Sequence, residues 1–352
     1  MKHPELLIPA SSLEVLKTAV VFGADAVYIG GEAFGLRAKA KNFSMEEIQE
    51  GIAFAHAHDV KVYITANILA HNGDLSGVRA YFEELKEIKP DALIISDPGV
   101  FMIAREVCPE IDIHISTQAN NTNYGTYNFW YNLGAKRVVT ARELSMKEIK
   151  EIREHIPDDM EIETFVHGAM CVCYSGQCLM SSMIGKRSGN RGQCAQPCRL
   201  QYQLLKDGQS LPEKHPYLLS PKDIMTIEYL GELIEAGVSS LKIEGRMKRP
   251  EYVASVTRAY RQAIDAYYQN KKIDFQPYIQ DMSAMFNRNY TSGYLHHDLK
   301  IVDGDYPGHK GYIIGEVVYY HKKQKRVGIR LTQPLLQGDS IVFEDIDKVV
   351  EM

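Results

Sequence analysis

Short apolar segments of strand length alternate with segments of helical periodicity along most of the chain. Eight of these segments are strand candidates: Leu6–Pro9, Ala26–Gly30, Lys61–Ala66, Ala92–Ser96, Asp112–Thr117, Arg137–Thr140, Glu161–His167 and Ser240–Glu244. Between them, Ser44 and Ser145 each have a Glu three residues later, which is typical of a capping box at a helix start. Eight strand-then-helix units predict an α/β fold, a TIM-type (β/α)8 barrel, with a doubly wound open sheet as the alternative.

The two faces of these strands differ in polarity. One face is aliphatic, and we expect it to pack outward on the helices: Val27, Ile29, Val62, Ile64, Ile113, Ile115, Leu241 and Ile243. The other face is polar, and we expect it to line the barrel interior: Tyr28, Tyr63, Thr65, His114, Ser116, Gln118, Glu161, Glu163, Lys242 and Glu244. Buried Glu and Lys are costly unless they are paired. Glu163 and Lys242 therefore either form an ion pair with no chemical role or belong to an active site, and we favour the active site.

Polar residues also follow the strand candidates. Barrel enzymes carry their active sites at the carboxyl ends of the strands, and here those ends hold Asn67, Asp97, Gln118, Arg142, His167, Glu244 and Arg246. No G-x-G-x-x-G follows the first strand, which disfavours a dinucleotide site. We predict that the catalytic residues are Glu163, His167, Lys242 and Glu244. We also predict that Asn67, Gln118 and Arg246 bind substrate.

A long segment rich in cysteine follows the seventh strand, so it should lie over the carboxyl-terminal mouth of the barrel. Within it, Cys171, Cys178, Cys194 and Cys198 have the spacing C-x6-C-x15-C-x3-C. Four thiolates bind zinc or an iron–sulfur cluster, and the wide first pair favours a [4Fe-4S] cluster over zinc. A redox thiol or no metal are the remaining alternatives. Cys173 can replace Cys171 as a ligand.

The same segment is locally basic. The chain has a net charge of −5, which excludes a globally basic nucleic-acid binder. No Asp or Glu occurs between residues 169 and 206, a stretch that contains Lys186, Arg187, Arg191, Arg199 and Lys206. This patch predicts an anionic ligand, either phosphates or a small carboxylate. Alternatively, the patch is a solvated loop whose charges offset those of the thiolates.

Compartment and domain organisation follow from the rest of the chain. The amino terminus has no signal-peptide pattern, and no window has the length and apolarity of a membrane span, so we expect a cytoplasmic protein with reduced thiols and no membrane partner. Cys108, at a probable helix end, is interpreted as a structural cysteine. We predict a barrel over 1–270 with a Cys-rich insert over 168–220, a linker over 271–310, and a small or partial β-barrel domain over 311–352.

One motif carries a family resemblance. The segment from Glu163 to Ser181 contains E-T-F-V-H-G-A-M-C and then G-Q-C-L-M-S, and it resembles the signature of the collagenase-like peptidase family U-32. The stretches ELLIPA, AVYIGG, STQAN, LKIEGR and NRNYTSGY are also similar to this family. The resemblance implies a TIM-like barrel with a [4Fe-4S] cluster on four cysteines, which by position are Cys171, Cys178, Cys194 and Cys198.

The resemblance implies several possible activities. The family includes collagenases, enzymes that hydroxylate RNA without molecular oxygen, and enzymes that hydroxylate a quinone precursor. This chain is most similar to the branch that forms 5-hydroxyuridine at the tRNA wobble position, with prephenate as a co-substrate. The expected partners are the tRNA anticodon loop and a paralogous subunit. In this interpretation Arg187, Arg191, Arg199 and Arg246 bind carboxylates or phosphates. Glu163, His167 or Glu244 moves the proton that C5 hydroxylation releases.

Two other classes of function remain as alternatives. Peptidase chemistry is disfavoured because the sequence has neither H-E-x-x-H nor G-x-S-x-G. A thiol protease could use Cys171 with His167, but the neighbouring cysteines would then compete for metal. A zinc-stabilised barrel that only binds RNA is the non-enzymatic alternative, and the polar barrel interior argues against it.

Overall fold

The computed structural model of the chain describes residues 3–31, 34–35, 42–298 and 300–343. The chain divides into two compact units, Met1–Lys310 and Gly311–Met352.

The first unit contains twelve of the described strands and ten helices. The strands are β1 (Glu5–Pro9), β2 (Ala26–Ile29), β3 (Lys61–Ala66), β4 (Ala92–Ile95), β5 (Asp112–Ile115), β6 (Arg137–Val139), β7 (Glu161–Ala169), β8 (Leu205–Lys206), β9 (Gln209–Ser210), β10 (Asp223–Met225), β11 (Ser240–Ile243) and β12 (Tyr290–Thr291). The helices are α1 (Leu13–Val21), α2 (Met45–His56), α3 (Leu75–Ile88), α4 (Pro98–Val107), α5 (Tyr124–Asn132), α6 (Met146–Glu154), α7 (Met180–Gly185), α8 (Leu230–Glu235), α9 (Pro250–Tyr268) and α10 (Gln276–Met285).

Eight parallel strands close into a barrel. Strands β1 to β7 pair with one another in sequence order, and β11 pairs in parallel with both β7 and β1. All eight strand candidates are present, and the closure confirms the TIM-type barrel over the open sheet. Both expected capping boxes are formed, since Ser44 and Ser145 each accept from the backbone of the Glu three residues later. No helix in the described part of the chain is both long and apolar enough to cross a membrane.

The predicted difference between the two strand faces is also confirmed. The aliphatic side chains lie in the large core between the barrel and its helices, together with residues such as Leu16, Phe82 and Tyr260. A smaller apolar cluster fills part of the barrel interior and consists of Leu7, Ala26, Tyr28, Tyr63, Ala92 and Ile94. The rest of the described interior holds polar side chains such as Glu163 and Lys242, together with the buried ring of Phe165.

An ion-pair network centred on Arg137 occupies this polar interior. Its guanidinium contacts Glu5 at 2.6 Å, Glu161 at 2.6 Å and Glu163 at 3.0 Å. Lys242 binds the other carboxylate oxygen of Glu163 at 2.6 Å. The Glu163 side chain is fully buried. Burial opposes ionisation of Glu5, but the charge and hydrogen bonds of Arg137 outweigh it and lower the pKa of Glu5. Glu163 and Lys242 thus pair with each other in the barrel interior, and their catalytic role stays a prediction.

The structure differs from the sequence interpretation over residues 271–310. This stretch lies in the same compact unit as the barrel and contains α10 and β12. Strand β12 extends the sheet by pairing with β10, and Met282 of α10 is fully buried. The Arg288–Asp223 ion pair (3.0 Å) adds a second link to β10. Packing against α9 and β10 orders this stretch, which the sequence analysis interpreted as a linker.

The second unit contains one antiparallel hairpin among its described residues. Strands β13 (Gly315–His321) and β14 (Arg326–Leu331) pair with a register shift between Val317 and Tyr319. Residues 344–352, part of the predicted β-domain, lie outside the described residues. The small or partial β-barrel stays a prediction.

Replacing Arg137 with Met should strongly destabilise the barrel, because three carboxylates would lose their shared cation in a buried site. Removing one partner from a buried pair typically costs about 3–5 kcal/mol. Urea denaturation measures this loss. The control is Arg79→Met, which breaks the exposed Arg79–Glu106 pair (2.7 Å) and should leave the transition nearly unchanged. Equal effects of the two substitutions would contradict a structural role for the network.

Candidate active site

The Cys-rich insert begins and ends at the carboxyl end of β7. Strand β7 runs to Ala169, and β10 returns antiparallel along its last residues, pairing Asp223 with Ala169 and Met225 with His167. Between these two strands lie α7 and the short β8–β9 hairpin. The insert therefore starts at the barrel mouth, where the sequence predicted it.

One part of the insert docks on the loops after β5 and β6. The amide and hydroxyl of Ser175 donate to the carboxylate of Glu143 at 3.1 and 3.0 Å, and Asn120 donates to the same carboxylate. Gly176 has a positive φ of 74°, and a Cβ at this position would lie 1.9 Å from the carbonyl oxygen of Gln118. Only glycine allows this close approach. Gln118 thus supports the insert through its backbone.

Another part of the insert docks on the loop after β3. The Arg191 guanidinium binds the two carboxylate oxygens of Asp74 at 2.7 and 3.2 Å and donates to the carbonyl of Leu69 at 2.8 Å. The amide of Leu69 donates in turn to the carbonyl of Asn190 at 3.0 Å. The hydrogen bonds from Arg191 lower the pKa of Asp74 to about 2. Anchored at both places, the insert lies across the barrel mouth, and Arg191 is one of its anchors.

The thiols of the insert gather near the mouth. All of the cysteines are free; Cys171 and Cys194 are exposed, and Cys178 and Cys198 are half-buried. Arg142, at the end of β6, donates to the sulfur of Cys171 at 3.2 Å. Burial raises the pKa of Cys198 to about 11, with smaller contributions from Cys171, Cys194 and Cys178. Cys198 therefore lies within electrostatic reach of the other three thiols.

The donor set can be tested against the expected metal group. Among residues that the structure describes, no three His, Cys, Asp or Glu side chains are arranged as a ready-made metal site. The chemistry of the donors nevertheless fits a thiolate-bound group, because four uncombined thiols come from one insert and Arg142 and Arg199 compensate negative charge nearby. Cys108 is buried at the end of α4, away from the insert, as expected of a structural cysteine.

Polar residues at the barrel mouth are hydrogen-bonded to one another. Asn67 donates to Ser116 at 3.2 Å, and Arg246 donates to Thr65 on β3 at 2.7 Å. The Arg246 guanidinium passes so close to Gly30 that a Cβ there would lie 2.5 Å from its Nη1. The structure thus brings Asn67, Gln118 and Arg246 to the carboxyl end of the barrel strands, where the sequence placed them. Asn67 and Gln118 are half-buried there, whereas Arg246 is buried.

His167 occupies a different environment from the expected one. The β7–β11 register shifts so that Lys242 pairs with Phe165 and Ile243 with His167. This bulge interrupts the alternation of side chains at the end of β7, the strand end at which the sequence analysis placed His167. The fully buried His167 ring lies among Tyr252, Tyr260 and Tyr290, at centroid distances of 5.7–6.0 Å. Burial, with the nearby Lys248, lowers its pKa to about 3. His167 faces α9, and neither of its ring nitrogens bonds any described residue.

The other predicted site residues lie in three settings. Glu163 and Lys242 lie in the barrel interior, within the Arg137 network. Glu244 is half-buried at the end of β11, and its carbonyl accepts from Tyr252 at 3.1 Å. Arg199 is bound to Ser220, Pro221 and Met170 within the insert.

Within the insert, the half-buried side chain of Arg187 donates only to the carbonyl of Gln193 (3.1 Å) among its described contacts. Glu143 and Ser175, which fix the insert, were not among the predicted site residues. The only sequence signal for them was the glycine that follows Ser175.

Comparison with known proteins identifies the family. The family model described as "Peptidase family U32" matches residues 11–302. The chain belongs to peptidase family U32. The "tRNA hydroxylation protein P1" of Bacillus subtilis is 39% identical over 97% of this chain and 83% of that protein. The "23S rRNA 5-hydroxycytidine C2501 synthase" of Escherichia coli is 36% identical over 96% of this chain and 52% of that protein. The "Collagenase" of Porphyromonas gingivalis is 36% identical over 82% and 73%.

Replacing Gly176 with Ala should detach the insert from the barrel mouth, because the new methyl group overlaps the Gln118 carbonyl. Overpacking of this kind costs about 1–3 kcal/mol. Trypsin cuts the transiently opened insert, so the cleavage rate rises as this cost increases the population of the open state. Tryptic cleavage after Lys186 and Arg187 should therefore be about tenfold faster or more. In the control, Gly185→Ala, no atom lies within 4 Å of the added methyl group. Equal cleavage rates in the two variants would contradict the docking.

Proposed function

We propose that this U32 protein is an RNA-modifying hydroxylase that forms 5-hydroxyuridine at the tRNA wobble position. The proposed reaction is independent of molecular oxygen and uses prephenate as a co-substrate. Two relatives with names that denote RNA hydroxylation support an RNA substrate, and one of them is similar over 97% of this chain. The observation that carries the proposal is the anchoring of the thiol-bearing insert across the polar barrel mouth.

We propose that Cys171, Cys178, Cys194 and Cys198 bind a [4Fe-4S] cluster. When bound, such a cluster supplies electron transfer or an open iron site. Arg142 would keep its hydrogen bond to the Cys171 sulfur, and bonds of this kind tune the potential of a cluster. Cys173 is half-buried beside Cys178 and is the alternative ligand to Cys171.

The chain's own residues have distinct proposed tasks at the mouth. A uridine taken out of the anticodon loop would enter the barrel mouth above Asn67 and Gln118. Arg187 is half-buried on the insert, only its Nε donates to another described residue, and we assign it to an RNA phosphate. Glu244 is the predicted proton acceptor that best suits the geometry. It lies half-buried at the end of β11, whereas Glu163 is bound within the barrel and His167 faces α9.

The structure gives less support to a thiol peptidase. That mechanism needs a histidine within hydrogen-bonding reach of the cysteine, and neither ring nitrogen of His167 bonds Cys171 or any other described residue. The similarity to a collagenase therefore does not extend to a Cys171–His167 pair.

Nucleoside analysis of tRNA tests the function. A strain without this protein should lack 5-hydroxyuridine, and the wild-type gene should restore it. Cys178→Ala should fail to restore it and, after purification without oxygen, should lose the iron and sulfide that the wild type contains. Cys108→Ala is the control and should keep both. Glu244→Gln should keep the iron and lose the modification.

Three results would contradict parts of this proposal. Unchanged 5-hydroxyuridine in the deletion strain would remove the tRNA function. Stoichiometric zinc without iron would favour the zinc-stabilised RNA-binding scaffold. Normal modification by Glu244→Gln would remove Glu244 as the proton acceptor.

A further inference from the structure

Lys248 is a half-buried amine with an unusual environment. It lies in the loop between β11 and α9, and its ammonium group lies over the ring of Phe286 and 5.6 Å from the ring centroid of Tyr252. No hydrogen bond or ion pair joins this ammonium group to any residue that the structure describes. Aromatic faces stabilise a cation only in part. Lys248 is therefore a partly desolvated cation with no directly hydrogen-bonded or ion-paired carboxylate among the described residues.

Other cations surround this amine. Arg288 lies over the same ring, with its guanidinium carbon 4.7 Å from the centroid of Phe286. Burial, followed by the charge of Arg288, lowers the pKa of Lys248 to about 7, and Arg199 acts in the same direction. Asp223 and Glu244 are the acids that act on the amine. Asp223 is paired with Arg288 at 3.0 Å. Its negative charge therefore mainly offsets the charge of Arg288 and offsets that of Lys248 less.

The two arginines are fixed in place by the protein. Arg288 donates to the carbonyl of Pro307 at 2.7 Å, and Arg199 donates to Ser220 at 2.9 Å and to the carbonyl of Pro221 at 2.8 Å. Their positive charge therefore stays beside Lys248 whether or not a ligand is bound. Preorganised cations of this kind are suited to binding an anion, since the protein need not rearrange.

The start of α9 adds to the positive potential. Helix α9 has 19 residues and begins at Pro250, two residues after Lys248, and no side chain caps its amino terminus. The free amides and the helix dipole favour negative charge at this end. The helix end alone does not define a binding site, but it adds to the positive potential around Lys248 and Arg288.

We propose that Lys248 and Arg288 form a binding site for an anionic group, a phosphate or a carboxylate. The site lies at the carboxyl end of β11 beside the insert, because Arg199 also reaches the carbonyl of Met170, the residue before Cys171. A bound anion would supply the direct ion-pair partner that Lys248 lacks among the described residues. The inference does not depend on the proposed function, which only suggests two sources of the anion: an RNA phosphate or a small carboxylate co-substrate.

Competitive acetylation of the wild-type protein tests this site. The protein is treated with acetic anhydride at neutral pH with no anion, inorganic phosphate, malonate or a uridine-rich RNA oligonucleotide, all at equal ionic strength. Mass spectrometry then measures acetylation of Lys248 and, as the control, of exposed Lys150 on α6. An anion at ten times its dissociation constant should reduce the acetylation of Lys248 about tenfold, and it should leave Lys150 unchanged.

Each arm of the experiment has a defined meaning. Protection of Lys248 by phosphate or malonate would identify a small-anion site, and protection by the oligonucleotide alone would identify an RNA phosphate site. Protection by none of the three, or equal protection of Lys150, would overturn the proposal. Calorimetric titration of the protecting anion gives a second readout: Lys248→Gln should abolish the binding heat, whereas Lys150→Gln should keep it.

Discussion

The shared contact of Arg137 with three carboxylates is the interaction on which the rest of the structure depends. Arg137 lies on β6, and its partners come from β1 and β7, while Lys242 adds β11 through Glu163. These strands form the seam at which the barrel closes, and the long insert separates β7 from β11 in sequence. A buried charge network is costly unless it is complete, so it favours the single register in which all of its partners meet.

The buried Arg137 network also limits where in the barrel chemistry can occur. The described interior below the mouth is filled by the Arg137 network and an apolar cluster, so no substrate passes through it. Barrel enzymes carry their active sites at the carboxyl-terminal end of the strands, and we place the substrate there. There the insert is anchored on opposite sides, by Glu143 and Asp74. The insert that carries the thiols thus lies over a rigid scaffold. Its anchors on the barrel loops are the carboxylates of Glu143 and Asp74, which are therefore not available to bind a ligand.

The sequence predicted the barrel well because strand alternation and capping boxes are local signals. It was less informative about individual side chains. A bulge turned His167 toward α9, and Arg191 and Arg199 bind the protein itself, which no local pattern indicates. The sequence analysis offered an ion pair between Glu163 and Lys242 as one alternative. It did not identify Arg137, on β6, as the second cation that binds Glu163. Lys248 was missed because its environment depends on Phe286 and Arg288, which follow α10 and are distant from Lys248 in sequence.

Photo-crosslinking tests the central claim, that the chemistry takes place at the barrel mouth beneath the insert. An anticodon stem-loop with 5-iodouridine at the wobble position is bound to the protein and irradiated, and crosslinked peptides are mapped by mass spectrometry. We expect crosslinks to residues 170–200 and to the loops after β3, β5 and β6. Crosslinks confined to the outer helices, or to the opposite barrel end near Lys61 and Asp112, would contradict the account.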